Sequence, residues 1–165
     1  MARPYGSAHV AVLSRLERRE WRKPVTTELK ISGIKIAPDI SLAGVLDKLE
    51  PLEGGWVNVA DYKTGKPKSR NYIEGKTKDA DGNYKRQLVF YKILLDGHGK
   101  YKMKTGELDF VEPPYRKERF EITEKETDEL KKLIVEKSKE ILGLDFWNKA
   151  CRDKDCKFCA LRKVM

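Results

Sequence analysis

The chain has 165 residues, of which 39% are hydrophobic and 37% charged, with a formal net charge of +9. That length supports one domain with its own hydrophobic core. No apolar run approaches the ~20 residues that span a bilayer, which excludes a hydrophobic membrane helix. The opening MARPYGSAHV has no apolar h-region, so no secretory leader is visible and a cytoplasmic location is expected.

The first expected element is a helix over Gly6 to about Arg22, where Leu13, Leu16 and Glu20 recur at helical spacing from His9 and Pro24 ends the pattern. VTTELKIS alternates Val25, Thr27, Leu29 and Ile31 against polar partners and predicts a strand. DISLAGVLD and WVNVADYK predict two more, and the intervening PLEGG is turn chemistry, so they form an antiparallel hairpin. That pairing sets Asp47 about opposite Asp61. Lys66 to Asn83 is polar, rich in Gly and Lys, and predicts a mobile loop. A helix is expected over Tyr84–Leu95, then strands in MKTGELDFVEP and YRKERFEI. Thr123 with Glu126 forms a capping box for a last helix, whose Leu130, Leu133, Ile134, Ile141 and Leu142 stripe predicts plain core. The order α-β-β-β-α-β-β-α gives an α/β fold, a mixed sheet flanked by helices. It reads as a single domain over 1–165 with a Cys-containing C-terminal segment, 145–165.

The strand ending in VADYK carries the chemistry. Successive strand residues face opposite sides, so Val57, Val59, Asp61 and Lys63 share one face. A core-facing row that ends in a carboxylate and an ammonium is costly unless something uses them. Two carboxylates converging at one point repel unless a cation sits between them, and oxygen ligands suit Mg²⁺ or Mn²⁺. The same spacing also fits a simple ion pair between Lys63 and Asp47 or Asp61. Gln87 and Tyr91, four apart, share a helix face with Tyr84 in reach; Tyr91 also suits core filling. His9 gains interest as a further ligand, since imidazole suits Mn²⁺.

The positive charge is not spread evenly. Between Tyr62 and Arg86 stand eight basic residues (Lys63, Lys66, Lys68, Arg70, Lys76, Lys78, Lys85 and Arg86) and three acids. A basic cluster just after the Asp-Lys strand points to a polyanion, and nucleic acid is the expected partner.

GSAH, GVLDKLE, VADYKTGK and QLVFY occur in the order and spacing of a RecB-type nuclease domain of the PD-(D/E)xK superfamily. That group includes the nuclease domains of RecB and AddAB helicase-nucleases and the CRISPR spacer-acquisition nucleases. Gly44-x-x-Asp47 resembles the second-strand acid, Asp61-Tyr62-Lys63 the D-x-K element, Gln87-x-x-x-Tyr91 the helical motif, and Gly6-x-x-His9 the helix that delivers a metal-binding His. The resemblance implies a restriction-endonuclease-like core and a Mg/Mn-dependent deoxyribonuclease, expected to be an exonuclease in DNA repair or recombination. It implies that His9, Asp47, Asp61 and the Tyr62 carbonyl hold the metal, that Lys63 assists the attacking water, and that Gln87 and Tyr91 support catalysis. Lys66, Lys68, Arg70, Lys76, Lys78, Lys85 and Arg86 would grip the DNA backbone. Glu28 resembles an upstream acidic position and equally suits an exposed strand residue. A helicase module is a possible partner, and the alternative reading is a catalytically inactive nucleic-acid-binding module of a helicase.

Cys151, Cys156 and Cys159 are the only cysteines. An odd number without a leader argues against a disulfide framework. Some relatives carry an iron–sulfur cluster on one upstream and three C-terminal cysteines spaced C-x2-C-x5-C. Here Cys156 and Cys159 supply the C-x2-C, Met165 holds the next position, and no upstream Cys exists. An iron–sulfur cluster and a structural zinc each normally take four ligands. The expectation is an incomplete site, a chain that folds without iron, and ends held by packing of Phe146 and Trp147.

Overall fold

The structure, a computed structural model, describes residues 25–145 together with Cys151, Cys156 and Cys159. The expected first helix, His9, Phe146 and Trp147 lie outside the described residues.

Five strands form one sheet in the order β1-β2-β3-β4-β5. They are β1 (Thr26–Ala37), β2 (Ile40–Pro51), β3 (Trp56–Lys63), β4 (Lys102–Phe110) and β5 (Arg116–Glu121). Only β3 and β4 run parallel; the other neighbours are antiparallel. The α/β fold read from the sequence is the observed one, a mixed sheet with helices packed on it. The helices are α1 (Arg70–Ile73), α2 (Asn83–His98) and α3 (Glu124–Leu142). Among the described residues, no helix is long and apolar enough to cross a membrane.

Parallel pairing of β3 with β4 demands a crossover, and the chain uses residues 64–101 for it. Helix α2 carries Leu88, Ile93, Leu94 and Leu95, all buried, and packs them on β1, β2 and β4. Val57, Val59, Leu46, Leu108 and Phe110 meet them from the sheet. Gly44 is small for a reason: a Cβ there would lie 2.7 Å from Leu94 Cδ1 and 3.4 Å from Phe90 Cε1. Gly106 gives α2 the same close approach, since its Cβ would lie 2.9 Å from Met103 Cε and 3.0 Å from Leu88 Cβ.

Two expectations need correction. The segment 66–83 was expected as a mobile loop, yet it contains α1, capped by Ser69 and pinned by Ile73 at 0% exposure. A single buried apolar residue leaves no periodicity to read. The last helix does start at the Thr123–Glu126 capping box. Its stripe is core only in the first half: Leu130 is buried and Ile134 half-buried, but Leu133, Ile141 and Leu142 are exposed.

Candidate active site

The β2–β3 ladder stops at Lys48↔Ala60. One step further the register sets Asp47 against Asp61, and there the strands part: β2 continues along β1 while β3 continues along β4. Just past that end of the ladder, the Tyr62 N–H donates to Asp47 Oδ2 at 3.0 Å. The acid expected on the second strand thus caps the split in the sheet.

Asp61 points to the α2 side and is 2% exposed. Its Oδ1 accepts from Tyr91 OH at 2.7 Å and from Gln87 Nε2 at 2.8 Å. Gln87 Nε2 also reaches Tyr91 OH at 2.8 Å, and Gln87 Oε1 accepts from Lys63 Nζ at 2.6 Å. Lys63 Nζ lies 2.6 Å from Asp61 Oδ2, closing a ring of four side chains. Among the described residues, that ammonium is the partner of the buried Oδ2, and no other donor reaches it. Lys63 also sits 5.5 Å above the centre of the Tyr84 ring. Burial pushes the Tyr91 phenol far above its ordinary range, reinforced by its bond to Asp61 and by the Asp47 charge. Tyr91 is therefore a fixed donor, not a proton acceptor, at any physiological pH.

The fold thus brings together Asp61, Lys63, Gln87 and Tyr91, with Asp47 at the strand split beside them. The Lys63–Asp61 ion pair does form, inside a network rather than as an isolated surface bridge. Tyr62 presents its backbone to this edge, while its ring turns to the other sheet face, 6.0 Å from Lys48 Nζ. Glu28 is exposed on the edge strand β1 with φ of 50° and sits between the pairs Thr27↔Lys48 and Leu29↔Leu46, level with Asp47. The Asp61 carboxylate, whose Oδ2 meets only the Lys63 ammonium among the described residues, and the Asp47 carboxylate across the strand split form a set of oxygen donors. That set fits Mg²⁺ or Mn²⁺.

The basic cluster divides. Arg70 pairs with Glu118 at 3.2 Å and with Glu74 at 3.5 Å, Lys76 with Glu74 at 2.5 Å, and Lys85 with Glu126 at 2.5 Å. Arg86 donates to Asn83 Oδ1 and to the Asp81 carbonyl. Among the described residues, Lys66, Lys68 and Lys78 make no ion pair, and Lys68 lies 4.9 Å over the Tyr72 ring. Sequence alone missed the partner acids Glu118 and Glu126, which come from β5 and α3 and could be found only from the fold.

The three cysteines converge. Their sulfurs all lie within 4.8 Å of one another, with Cys151 Sγ 3.3 Å from Cys159 Sγ. Cys151, extra in the expected spacing, is thus part of the group. Three thiols so placed can hold a thiophilic metal, for which no fourth ligand stands among the described residues.

The family model for the PD-(D/E)XK nuclease superfamily matches residues 2–164. No curated protein matches the chain. Among solved structures, the crystal structure of SSO0001 is similar over 96% of this chain at 16% identity and a TM-score of 0.50. A protein of Eubacterium rectale named "Putative exonuclease" is similar over 94% at 12% identity and a TM-score of 0.56. The alignments span 66% and 60% of those two chains, so each is longer than the part this chain resembles.

Proposed function

The chain belongs to the PD-(D/E)XK nuclease superfamily, and from that premise we propose that it is a RecB-type, Mg/Mn-dependent deoxyribonuclease that hydrolyses phosphodiester bonds. One observation carries this reading: the buried Asp61 carboxylate and the Lys63 ammonium, 2.6 Å from its Oδ2, are held in one ring by Gln87 and Tyr91 at the point where β2 and β3 part. The Gln87–Tyr91 clamp supports the RecB-type branch. The name of the Eubacterium rectale protein supports exonucleolytic cutting, and a role in repair or recombination follows as the setting for such an enzyme.

Asp47, Asp61 and the Tyr62 carbonyl would hold the metal, with His9 as a further ligand. Bound there, Mg²⁺ or Mn²⁺ would lower the pKa of the attacking water and neutralise charge on the phosphate. The protein's own groups do the rest. Lys63 places a positive charge where the attacking water and a non-bridging phosphate oxygen meet, and Gln87 Oε1 fixes its direction. Tyr91 and Gln87 anchor Asp61 Oδ1, which leaves Oδ2 facing the reaction. Lys66, Lys68 and Lys78 would hold the backbone without reading sequence.

The test pairs cleavage with binding. Labelled DNA should be cut with Mg²⁺ or Mn²⁺ and not with EDTA, and calorimetric Mn²⁺ titration should show a site that Asp61→Asn weakens. Metal binding without cleavage of any DNA would favour an inactive nucleic-acid-binding module. Cleavage that survives Asp61→Asn would remove this site from the reaction.

A further inference from the structure

A cavity of about 330 Å³ opens between β2, α2 and α3. Leu42, Phe90, Leu130 and Ile134 form its apolar walls, and Arg86 and Gln87 border it. Gln87 and Phe90 follow Arg86 and Asn83 at helical spacing, so one face of α2 lines the slot. The Phe90 wall is fixed, because the ring packs on the bare backbone of Gly44.

The slot is one side chain away from the reaction centre. Gln87 lines it and also donates to Asp61 Oδ1 at 2.8 Å. Arg86 is held at its edge by Asn83 and the Asp81 carbonyl, which leaves guanidinium N–H groups and the positive charge for another acceptor. A DNA strand whose phosphate lies at Asp61 therefore passes an apolar slot with a cation at its margin. The sugar–phosphate cannot enter such walls without losing its hydration. The flat base can, with its phosphate against Arg86. In a duplex the bases are stacked and paired, so only an unpaired base is available.

Resting on the nuclease reading, we propose that this slot takes one unpaired nucleobase of the strand being cut and so selects single-stranded or frayed DNA. Its edge atoms would meet Asn83, and its face would lie along Phe90. Sequence-tolerant affinity is the consequence, since every base has an apolar face.

The experiment uses the full chain with short single strands that carry one 2-aminopurine at successive positions, bound in EDTA. Matched strands carry an abasic residue at the same positions. One position should change in fluorescence, and the abasic residue there should weaken binding about fivefold or more, the low end for stacking on an aromatic ring. Ile134→Trp, which fills the slot, should bring the two affinities together. Phe90→Leu, which keeps apolar packing but removes the ring, should reduce the difference. A wild type indifferent to the abasic residue at every position overturns the proposal. So does a difference that survives Ile134→Trp in folded protein or, should that variant not fold, one undiminished in Phe90→Leu. Cleavage with Mg²⁺ or Mn²⁺ is read separately: its absence sinks the nuclease reading while a base-dependent affinity still stands.

Discussion

Strand β3 carries polar side chains on both faces, and the two faces solve burial differently. On the face away from α2, Asn58 is 0% exposed, donates to Glu50 Oε2 at 2.9 Å and accepts from Thr105 Oγ1 at 2.7 Å. Glu50 takes Lys48 at 2.8 Å, and Glu107 takes Arg119 Nε at 2.8 Å directly across the β4–β5 ladder. Every donor there meets an acceptor, as a structural network should. On the α2 face, three residues along the same strand, Asp61 Oδ2 meets only the Lys63 ammonium, at 2.6 Å, among the described residues. The difference separates a network that holds the sheet from one prepared to hold something else. Burial and charge are common to both; the single ammonium contact of Asp61 Oδ2 and the parting strands mark the second.

The sharpest way to break this contrast is to mutate the unfinished network and find nothing but a stability change. Asp61→Asn keeps the shape and should cost ~10³-fold or more in cleavage, by loss of charge at the metal and phosphate. Its midpoint of thermal unfolding should stay near wild type. Lys63→Met should lower kcat by ~10²–10³, as removal of a transition-state donor does, while DNA affinity falls little. If both variants unfold readily and the folded fraction cuts DNA at the wild-type rate, the α2 face is as structural as the other.

Much of this was legible in the sequence, for local reasons. Alternation along WVNVADYK gave β3 to the residue, and the turn at PLEGG gave the hairpin, hence the Asp47 and Asp61 register. The capping box set the start of α3. What stayed hidden depends on elements distant in the chain. That Arg70 and Lys85 are paired follows from β5 and α3 arriving beside them. That Leu133, Ile141 and Leu142 are exposed depends on what packs beside α3, which its own period does not encode. The slot beside Gln87 needed three elements at once. Asp61 was visible as an acid on an apolar face, but the partners of its two oxygens were not, because hydrogen-bond geometry has no sequence signature.

The finished network sharpens the comparison from its own side. Asn58→Leu should leave Thr105 without its acceptor and Glu50 without one donor, at a cost of about 1–3 kcal/mol in denaturant unfolding. Cleavage per folded molecule should hold. Acid should then find the two faces different. Burial pushes Glu50 up, but hydrogen bonds from Lys48 and Asn58 outweigh it and hold the carboxyl below its ordinary 4.5. Its folded value is the lower one, so its contribution is present above about pH 4.5 and lost as pH falls through that folded value. Tyr91 runs the other way. Its raised phenol contributes below the ordinary 10.0 and is lost as pH rises through its folded value. Glu50→Gln should flatten the acid limb of melting temperature against pH and leave the alkaline limb; Tyr91→Phe should do the reverse. A shared limb would mean the faces are coupled.

The smallest effect extends the same distinction to the surface. Arg70, Lys76 and Lys85 already have carboxylates, whereas Lys66, Lys68 and Lys78 make no ion pair among the described residues. An exposed ion pair is worth only about 0–1 kcal/mol, so DNA could break one, but each release leaves an acid facing the phosphates. The three unpaired lysines should therefore supply most of the counterion release. Replacing Lys66, Lys68 and Lys78 together by Ala should reduce the log–log salt slope by up to about 0.7 per contact on single strands or about 0.9 on duplex. The same change at Arg70, Lys76 and Lys85 should reduce it less, because those cations are held by Glu118, Glu74 and Glu126 rather than by phosphates. Filter binding across a salt series on two unrelated sequences reads both slopes. Equal reductions would show that DNA displaces the internal partners, and no reduction in either set would place the strand's path on another surface.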